Sequence, residues 1–253
     1  AFALFSMSAM VSGQELWEAV LARGAHCWPR RRGDARPFPL PREVEAGFTE
    51  LHRVVTQNEV QGNVGRASLQ VHCYHHVLRL LSHDAPRHVC ETGFAGGHSA
   101  IVFLTALPKG SLYHGFDMGY PISRRAATHV NASVLPGQLR MHWGPSQQTA
   151  PTVLHQQPNL FCDVLSIDGL HSQDGELADW RNFADRLRPG APVFVDDVSA
   201  RHPIWSEPNI KLINCLQLSH AVDVAPDKVA YRKRNEASGG FCIGKRGGAS
   251  EAR

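Results

Sequence analysis

The sequence lacks closely spaced cysteines and long hydrophobic runs. Its six cysteines stand far apart, without a C-x-x-C pair, and several of them lie within apolar, strand-like segments. This spacing gives no support to a redox or zinc motif and predicts buried free thiols in a reducing compartment, with the cytoplasm favoured. The apolar residues 1–11 are too few to span a bilayer, so no membrane partner is expected. They fit either a short helix packed on the domain or the remnant of a targeting segment.

An excess of charge of either sign is also absent. The chain carries 26 basic and 23 acidic residues, for a net charge of +3, and its two arginine-rich triplets (residues 30–32 and 232–234) are typical of solvated loops. A nucleic-acid partner is therefore not expected. With 253 residues and 43% hydrophobic composition, the chain can bury one substantial core, and a homo-oligomer stays open.

The order of apolar and polar segments predicts an α/β domain at residues 61–246. A helical extension and linker at 1–60 precede it, and a flexible tail at 247–253 follows. From Arg87 onward, short apolar runs alternate with amphipathic segments, which is typical of a doubly wound, mostly parallel sheet covered by helices. Strands are predicted at 87–91, 111–116, 138–142, 163–167 and 191–195. Helices are predicted at 13–23, 42–56, 67–82, 97–107, 122–134, 147–156 and 174–187.

The last part of the domain is expected to close the sheet with antiparallel strands. A further helix is predicted beyond Pro208, and a terminal hairpin is predicted from Val229–Tyr231 and Gly240–Ile243.

A glycine-rich loop follows the first predicted strand and opens an apolar helix. Glycines there let the backbone turn tightly and approach a ligand, and the helix N-terminus favours a negative group such as a carboxylate. The spacing G-x-x-G-G does not match the dinucleotide pattern G-x-G-x-x-G. The acidic residue before the first glycine can face the amino group of a ligand. The loop reads Glu91-Thr92-Gly93-Phe94-Ala95-Gly96-Gly97-His98-Ser99.

Asp117 ends the second predicted strand, 24 residues after Gly93. A carboxylate at this position can accept hydrogen bonds from both hydroxyls of a ribose. The ligand is therefore expected to contain a nucleoside.

The loop and the acidic strand end together resemble motif I and its successor in class I S-adenosylmethionine-dependent methyltransferases. The resemblance is greatest to the metal-dependent branches that are similar to catechol O-methyltransferase and to macrolide-sugar O-methyltransferases. It implies that Glu91 and the backbone of Gly93 meet the methionine part of the cofactor, Ser99 its carboxylate, and Asp117 the ribose. In the turn after the third strand, it implies adenine contacts from Ser146 and Gln147. The remaining cofactor residues of the prediction are Phe94, Gly97, His98, Met118 and Asp168.

Three aspartates follow the fourth and fifth predicted strands. Asp168 ends one strand, and Asp196 and Asp197 end the next. The carboxyl ends of neighbouring parallel strands face one crevice, and three carboxylates gathered there repel one another unless a cation or protons intervene. Oxygen ligands favour Mg²⁺, which can hold and acidify a substrate hydroxyl. The resemblance implies the same metal ligands; carboxylates that cap loops or bind the cofactor amine are the alternative.

His171 lies three residues beyond Asp168, where the resembled catechol enzymes carry a lysine base. Histidine accepts a proton near neutral pH without a large change of its pKa. His171 and Asp168 are therefore the predicted catalytic residues, although a loop histidine that caps the next helix is the plainer alternative.

The leading hypothesis is a metal-assisted O-methyltransferase that uses S-adenosylmethionine to methylate a small hydroxylated molecule. Two alternatives remain: an NAD-dependent oxidoreductase, which predicts the absent G-x-G-x-x-G spacing, and a cofactor-binding module without catalysis.

Overall fold

The computed structural model describes residues 39–56, 68–81, 85, 87–198, 201–217 and 240–247. The strands are β1 His88–Thr92, β2 Leu112–Asp117, β3 Leu139–Trp143, β4 Val164–Ile167, β5 Pro192–Asp196, β6 Ile210–Gln217 and β7 Gly240–Arg246. The α-helices are α1 Arg42–Leu51, α2 Ser68–Leu81, α3 His98–Ala106, α4 Pro121–His129, α5 Ser146–Gln156 and α6 Gln173–Phe183. A π-helical segment, Val130–Val134, and two 3₁₀ segments, Ala184–Arg186 and Pro203–Ser206, complete the described elements.

These strands form one seven-stranded sheet with the order β3-β2-β1-β4-β5-β7-β6. The first five strands run parallel, and β7 pairs antiparallel with both β5 and β6. The chain order reverses between β1 and β4, so the carboxyl ends of these two strands border the crevice where open α/β sheets bind ligands. The predicted doubly wound, mostly parallel sheet is confirmed.

Two apolar cores cover the two faces of the sheet. Alternate residues of β1 separate them, since Val89 belongs to the core beneath α1–α4 and Cys90 to the core beneath α5 and α6. Helix α3 is buried along most of its length, which explains its nearly uninterrupted apolar sequence. This packing fixes the loop between β1 and α3 at the edge of the crevice.

The last strands differ from the prediction. Residues after Pro208 form strand β6 rather than a helix, and β6 is the antiparallel partner of β7. The helical prediction was wrong because this segment pairs with β7, a strand more than twenty residues farther along the chain, and local spacing carries no sign of that partner. The predicted helix at 13–23 and the predicted strand at 229–231 lie outside the described residues.

The cysteine prediction was also wrong in part. Cys90 of β1 and Cys162, which precedes β4, form a disulfide, and Cys242 is disulfide-bonded too. Cys73 is a buried free thiol as predicted. The bridge could not be predicted from the cysteine spacing, because the two cysteines are 72 residues apart and become neighbours only through the parallel pairing of β1 with β4. Within the described residues, no helix is long and apolar enough to cross a membrane.

Candidate active site

The glycine-rich loop is held against the carboxyl end of β4. Gly93 has a positive φ of 87°, and a Cβ there would overlap the backbone carbonyl of Asp168. Gly97, with φ 83°, caps α3, and its Cβ would lie 2.6 Å from the Phe94 ring. Both positions require glycine because of contacts within the protein, in addition to any approach by a ligand.

Two residues of the predicted cofactor set point into the protein. The ring of Phe94 is buried and packs edge-on against Tyr113. The buried His98 places its Nε2 atom 3.0 Å from Nε2 of His52, and its ring meets the edge of Phe48. These side chains support the loop from beneath, and cofactor contact by either of them stays a prediction.

Glu91, the acidic residue that precedes the first glycine of the loop, is completely buried. Its Oε2 atom accepts hydrogen bonds from Ser99 Oγ, at 2.7 Å, and from the Tyr113 hydroxyl. Its Oε1 atom has no hydrogen-bond partner among the described groups. Burial raises the pKa of Glu91 to about 8, and the bonds from Ser99 and Tyr113 offset part of that rise. An unpaired buried carboxylate oxygen fits the ammonium group of a methionine moiety.

Asp117 connects the two loops that follow β1 and β2. Its Oδ2 atom accepts a hydrogen bond from the Ala95 amide at 2.9 Å, and its Oδ1 atom accepts one from the Gly119 amide at 2.7 Å. Each carboxylate oxygen can accept a second bond, so the predicted ribose contacts remain available. The neighbouring Met118 is half exposed, which leaves an apolar side chain at the rim beside it.

The predicted adenine residues lie at the start of α5. Ser146 is buried, and the amide nitrogen of Gln147 donates a hydrogen bond to Asp179 Oδ1 at 3.2 Å. Asp179 is itself completely buried on α6, and burial raises its pKa. Sequence reasoning missed Asp179, although its place at helical spacing from Glu176, Trp180 and Phe183 on the buried face of α6 was a signal. The hydrogen bond between Gln147 and Asp179 holds the turn before α5, which is predicted to contact adenine, against α6.

Asp168, His171 and Asp197 form a chain of contacts at the carboxyl ends of β4 and β5. The His171 Nε2 atom lies 3.3 Å from Asp168 Oδ1, and its Nδ1 atom lies 2.9 Å from Asp197 Oδ2. Asp197 has a left-handed backbone, with φ 55°, which is costly for a residue with a side chain and typical of functional sites. We call these three residues the carboxylate–imidazole triad. The structure thus brings together the predicted base and two of the predicted metal ligands.

The charges of the triad depend on one another. Hydrogen bonds to Asp168 and Asp197 raise the pKa of His171 to about 11. Burial raises the pKa of Asp168, although the neighbouring imidazole counteracts it. At neutral pH His171 is therefore an imidazolium that donates both of its N–H groups to carboxylates.

Asp196, the remaining predicted metal ligand, belongs to a separate contact network. Gln70 of α2 donates hydrogen bonds from its amide nitrogen to Asp196 Oδ1 and to the Tyr74 hydroxyl, both at 3.0 Å. Burial and the nearby Asp168 raise the pKa of Asp196 well above its ordinary value. Sequence reasoning missed Gln70, because a lone glutamine on a helix carries no motif.

The three aspartates, as arranged, do not fit a magnesium site. Magnesium needs oxygen atoms converging at about 2.0–2.1 Å, whereas here the imidazole N–H groups lie between Asp168 and Asp197. In the described part of the chain, no three acidic, histidine or cysteine side chains are grouped so that they could hold a metal ion.

His202, which follows β5 in the chain, pairs with Glu176, and both side chains are buried. Its Nε2 atom lies 2.8 Å from Glu176 Oε2 of α6, and its Nδ1 atom accepts a hydrogen bond from the Ile204 amide. The pair joins the 3₁₀ segment after β5 to α6, the helix that follows the triad loop.

Comparisons with known proteins agree with this fold. Residues 90–198 match a protein family described as a methyltransferase domain. An O-methyltransferase from Bacillus cereus, solved in complex with S-adenosylhomocysteine, is 15% identical, with a TM-score of 0.57 over 83% of this chain and 92% of that chain. The O-methyltransferase TomG from Streptomyces achromogenes, solved with S-adenosylmethionine, is 16% identical, with a TM-score of 0.56 over 94% of this chain and all of that chain. A search of curated protein sequences found no significant match.

The seven-stranded, mostly parallel sheet is thus the fold of these two methyltransferase structures. More particularly, residues 90–198 are similar to a methyltransferase domain. The match does not favour the oxidoreductase alternative.

Proposed function

We propose that this chain transfers the methyl group of S-adenosylmethionine to a hydroxyl oxygen of a small molecule. The observation that carries the proposal is the carboxylate–imidazole triad, which lies where the crevice meets the glycine-rich loop. The two similar solved structures described above are O-methyltransferases. The exposed Leu170, between Asp168 and His171 in the same loop, offers an apolar contact for the body of an acceptor.

The cofactor would be held by Glu91, the backbone of Gly93, Ser99 and Asp117. Glu91 would bind the ammonium group through its unpaired Oε1 atom, and Asp117 would bind the ribose. The bound cofactor supplies an electrophilic methyl group on a sulfonium sulfur. The protein then has to orient the acceptor and remove its proton.

The triad has the groups needed for that proton transfer. His171 starts as an imidazolium, so a carboxylate, rather than the imidazole, receives the acceptor's proton at neutral pH. Asp168 is suited to this role because burial makes its carboxylate more basic. Transfer would form the oxygen–carbon bond and break the sulfur–carbon bond, whose electron pair would stay on sulfur in S-adenosylhomocysteine. His171 holds Asp168 and Asp197 in position throughout.

Methyl transfer from labelled S-adenosylmethionine to a panel of phenols, catechols and hydroxylated sugars tests the proposal. We expect product with at least one acceptor, a decrease in kcat of about 100-fold in Asp168→Asn, and about 10-fold in His171→Gln. Asp174→Asn, which removes an exposed acid from the first turn of α6, is the matched control and should retain its rate. Cofactor binding without turnover of any acceptor would favour the non-catalytic module.

The magnesium ion stays a separate prediction, and the same assay decides it. A cation that used both Asp168 and Asp197 would have to displace the imidazole from them. Loss of turnover in chelator, restored by added Mg²⁺, would establish the metal. Full turnover in chelator would show that the triad catalyses methyl transfer without a metal ion.

The compartment is a further prediction. The cytoplasmic location expected from the cysteine spacing conflicts with the bridge between Cys90 and Cys162, because disulfides persist mainly in oxidising compartments. We therefore propose an oxidising compartment, which recovery of the bridged peptides from cells under thiol-blocking conditions would support.

A further inference from the structure

A second cavity, of about 580 Å³, opens on the face of the sheet that α5 covers. His88 and Leu112, which line it, are the first residues of β1 and β2, whereas the cofactor loop follows the last residue of β1. The end of α5 and the residues after it form the opposite wall. We call this cavity the strand-face groove. Its volume is in the range of small-molecule sites.

Three histidines on neighbouring strands lie side by side in the groove. His88 Nδ1 is 3.1 Å from His114 Nε2, and the rings of His114 and His142 are stacked with their centroids 6.0 Å apart. His114 is only 5% exposed, yet its Nδ1 atom has no hydrogen-bond partner among the described residues, and neither has His142 Nε2. Buried nitrogen atoms without a partner are costly, so a polar group of a ligand would stabilise them.

The charged side chains that line the groove favour a ligand of negative charge. Arg140 stands in the lining, with its Nη1 atom fixed by hydrogen bonds to the carbonyls of Gly137, at 2.8 Å, and Leu139, at 2.9 Å. The other polar lining residues are two glutamines and an asparagine, and the lining contains no acidic residue. Burial, followed by the neighbouring His88, His142 and Arg140, lowers the pKa of His114 to about 4, which keeps its imidazole neutral. An arginine with no acidic neighbour in the lining repels a metal cation and attracts an anion.

The wall of the groove is fastened independently of any ligand. Leu160 lies two residues before Cys162, which the disulfide ties to Cys90 of β1. The carbonyl of Pro158, in the same wall, accepts a hydrogen bond of 2.7 Å from Arg186 Nη1. The groove is thus built by covalent and polar contacts within the chain, and its side chains are positioned in advance of binding.

We propose that the strand-face groove binds an anionic small molecule, whose phosphate or carboxylate group meets Arg140 and the imidazoles of His114 and His142. The body of the molecule lies on the apolar side chains of Leu112 and Leu160. This site is distinct from the crevice at the strand ends, and the proposal does not depend on the methyl-transfer reaction.

Imidazole nuclear magnetic resonance of the full chain tests this site directly, because it reports on His114 and His142 themselves. The probes are phenyl phosphate, benzoate, inorganic phosphate and neutral benzyl alcohol. We expect saturable shifts of both histidines with at least one aromatic anion, binding at least 10-fold weaker for inorganic phosphate, and no saturable shift with benzyl alcohol. The ratio between phenyl phosphate and benzoate tells a phosphate ligand from a carboxylate ligand.

Arg140→Gln supplies the decisive variant, because its side chain is exposed and its loss leaves the core intact. We expect it to weaken binding of the preferred anion at least 10-fold. Arg53→Gln removes the same charge from an exposed arginine that pairs with Glu50 on α1, and it should bind like the wild type. The absence of saturable shifts with every anion, equal binding of the neutral probe, or equal weakening by both variants would overturn the proposal.

Discussion

Glu91 shows how a single buried carboxyl group can serve ligand binding at the expense of stability. Folding encloses it, and its pKa rises from 4.5 to about 8. Between these values the folded protein binds more protons than the unfolded chain, so the free energy of unfolding falls as the pH rises. The full difference corresponds to at most about 5 kcal/mol. A cofactor ammonium beside the unpaired Oε1 atom would remove this penalty.

We therefore predict that Glu91→Gln stabilises the ligand-free protein at pH 8 and changes its stability little at pH 5. Glutamine keeps an oxygen for the Ser99 and Tyr113 hydroxyls but carries no charge to bury. The same change should weaken binding of S-adenosylhomocysteine at least 10-fold, since the charge-assisted contact is lost. Urea unfolding at the two pH values and calorimetry measure these effects.

Glu45→Gln is the control for this experiment, because Glu45 is exposed on α1 and its loss should alter neither quantity. Equal pH dependence of stability in Glu91→Gln and the wild type would contradict the assignment.

At the scale of elements, the parallel pairing of β1 and β4 positions both the cofactor loop and the disulfide. At the carboxyl ends it sets Gly93 against the carbonyl of Asp168, and farther back it lets Cys90 meet Cys162. Strand positions could be predicted from apolar runs and turn residues, yet strand neighbours could not. For the same reason, the helix predicted after Pro208 proved to be the edge strand β6, whose partner lies in a distant segment.

We predict that the double variant Cys90→Ala/Cys162→Ala lowers the free energy of unfolding by about 4 kcal/mol, the value that chain entropy gives for a loop of this length. Chemical denaturation without reductant measures the change. Cys73→Ala, at the buried free thiol, is the comparison, and it should cost only the small packing loss of one sulfur atom. Non-reducing peptide mapping that finds Cys90 and Cys162 unlinked would refute the bridge.

For the molecule as a whole, the sheet separates two regions of different chemistry. The carboxyl ends of β1, β4 and β5 gather acidic groups around the crevice, whereas the strand-face groove gathers imidazoles and an arginine. The acidic end suits a cofactor with a cationic sulfonium and ammonium, and the basic groove suits an anion. Neither region is visible in the small net charge of +3.

Ligand-induced stabilisation of the whole chain should therefore distinguish nucleotide cofactors. S-adenosylhomocysteine at 100 times its Kd should stabilise the protein by about 2.7 kcal/mol, and NAD at the same concentration should have no effect. Thermal unfolding with each ligand measures this. Stabilisation by NAD, but not by S-adenosylhomocysteine, would favour the oxidoreductase hypothesis over the methyltransferase.

The sequence by itself determined the fold class, the five parallel strands, the glycine-rich loop and the acidic strand ends, because these depend on local spacing and on apolar periodicity. Only the tertiary structure decided what the side chains do. It placed His171 between Asp168 and Asp197, bridged Cys90 with Cys162, and stacked His114 beside His142 on neighbouring strands. Each of these contacts joins residues through loop geometry or strand order, and a pattern along the chain carries no record of either.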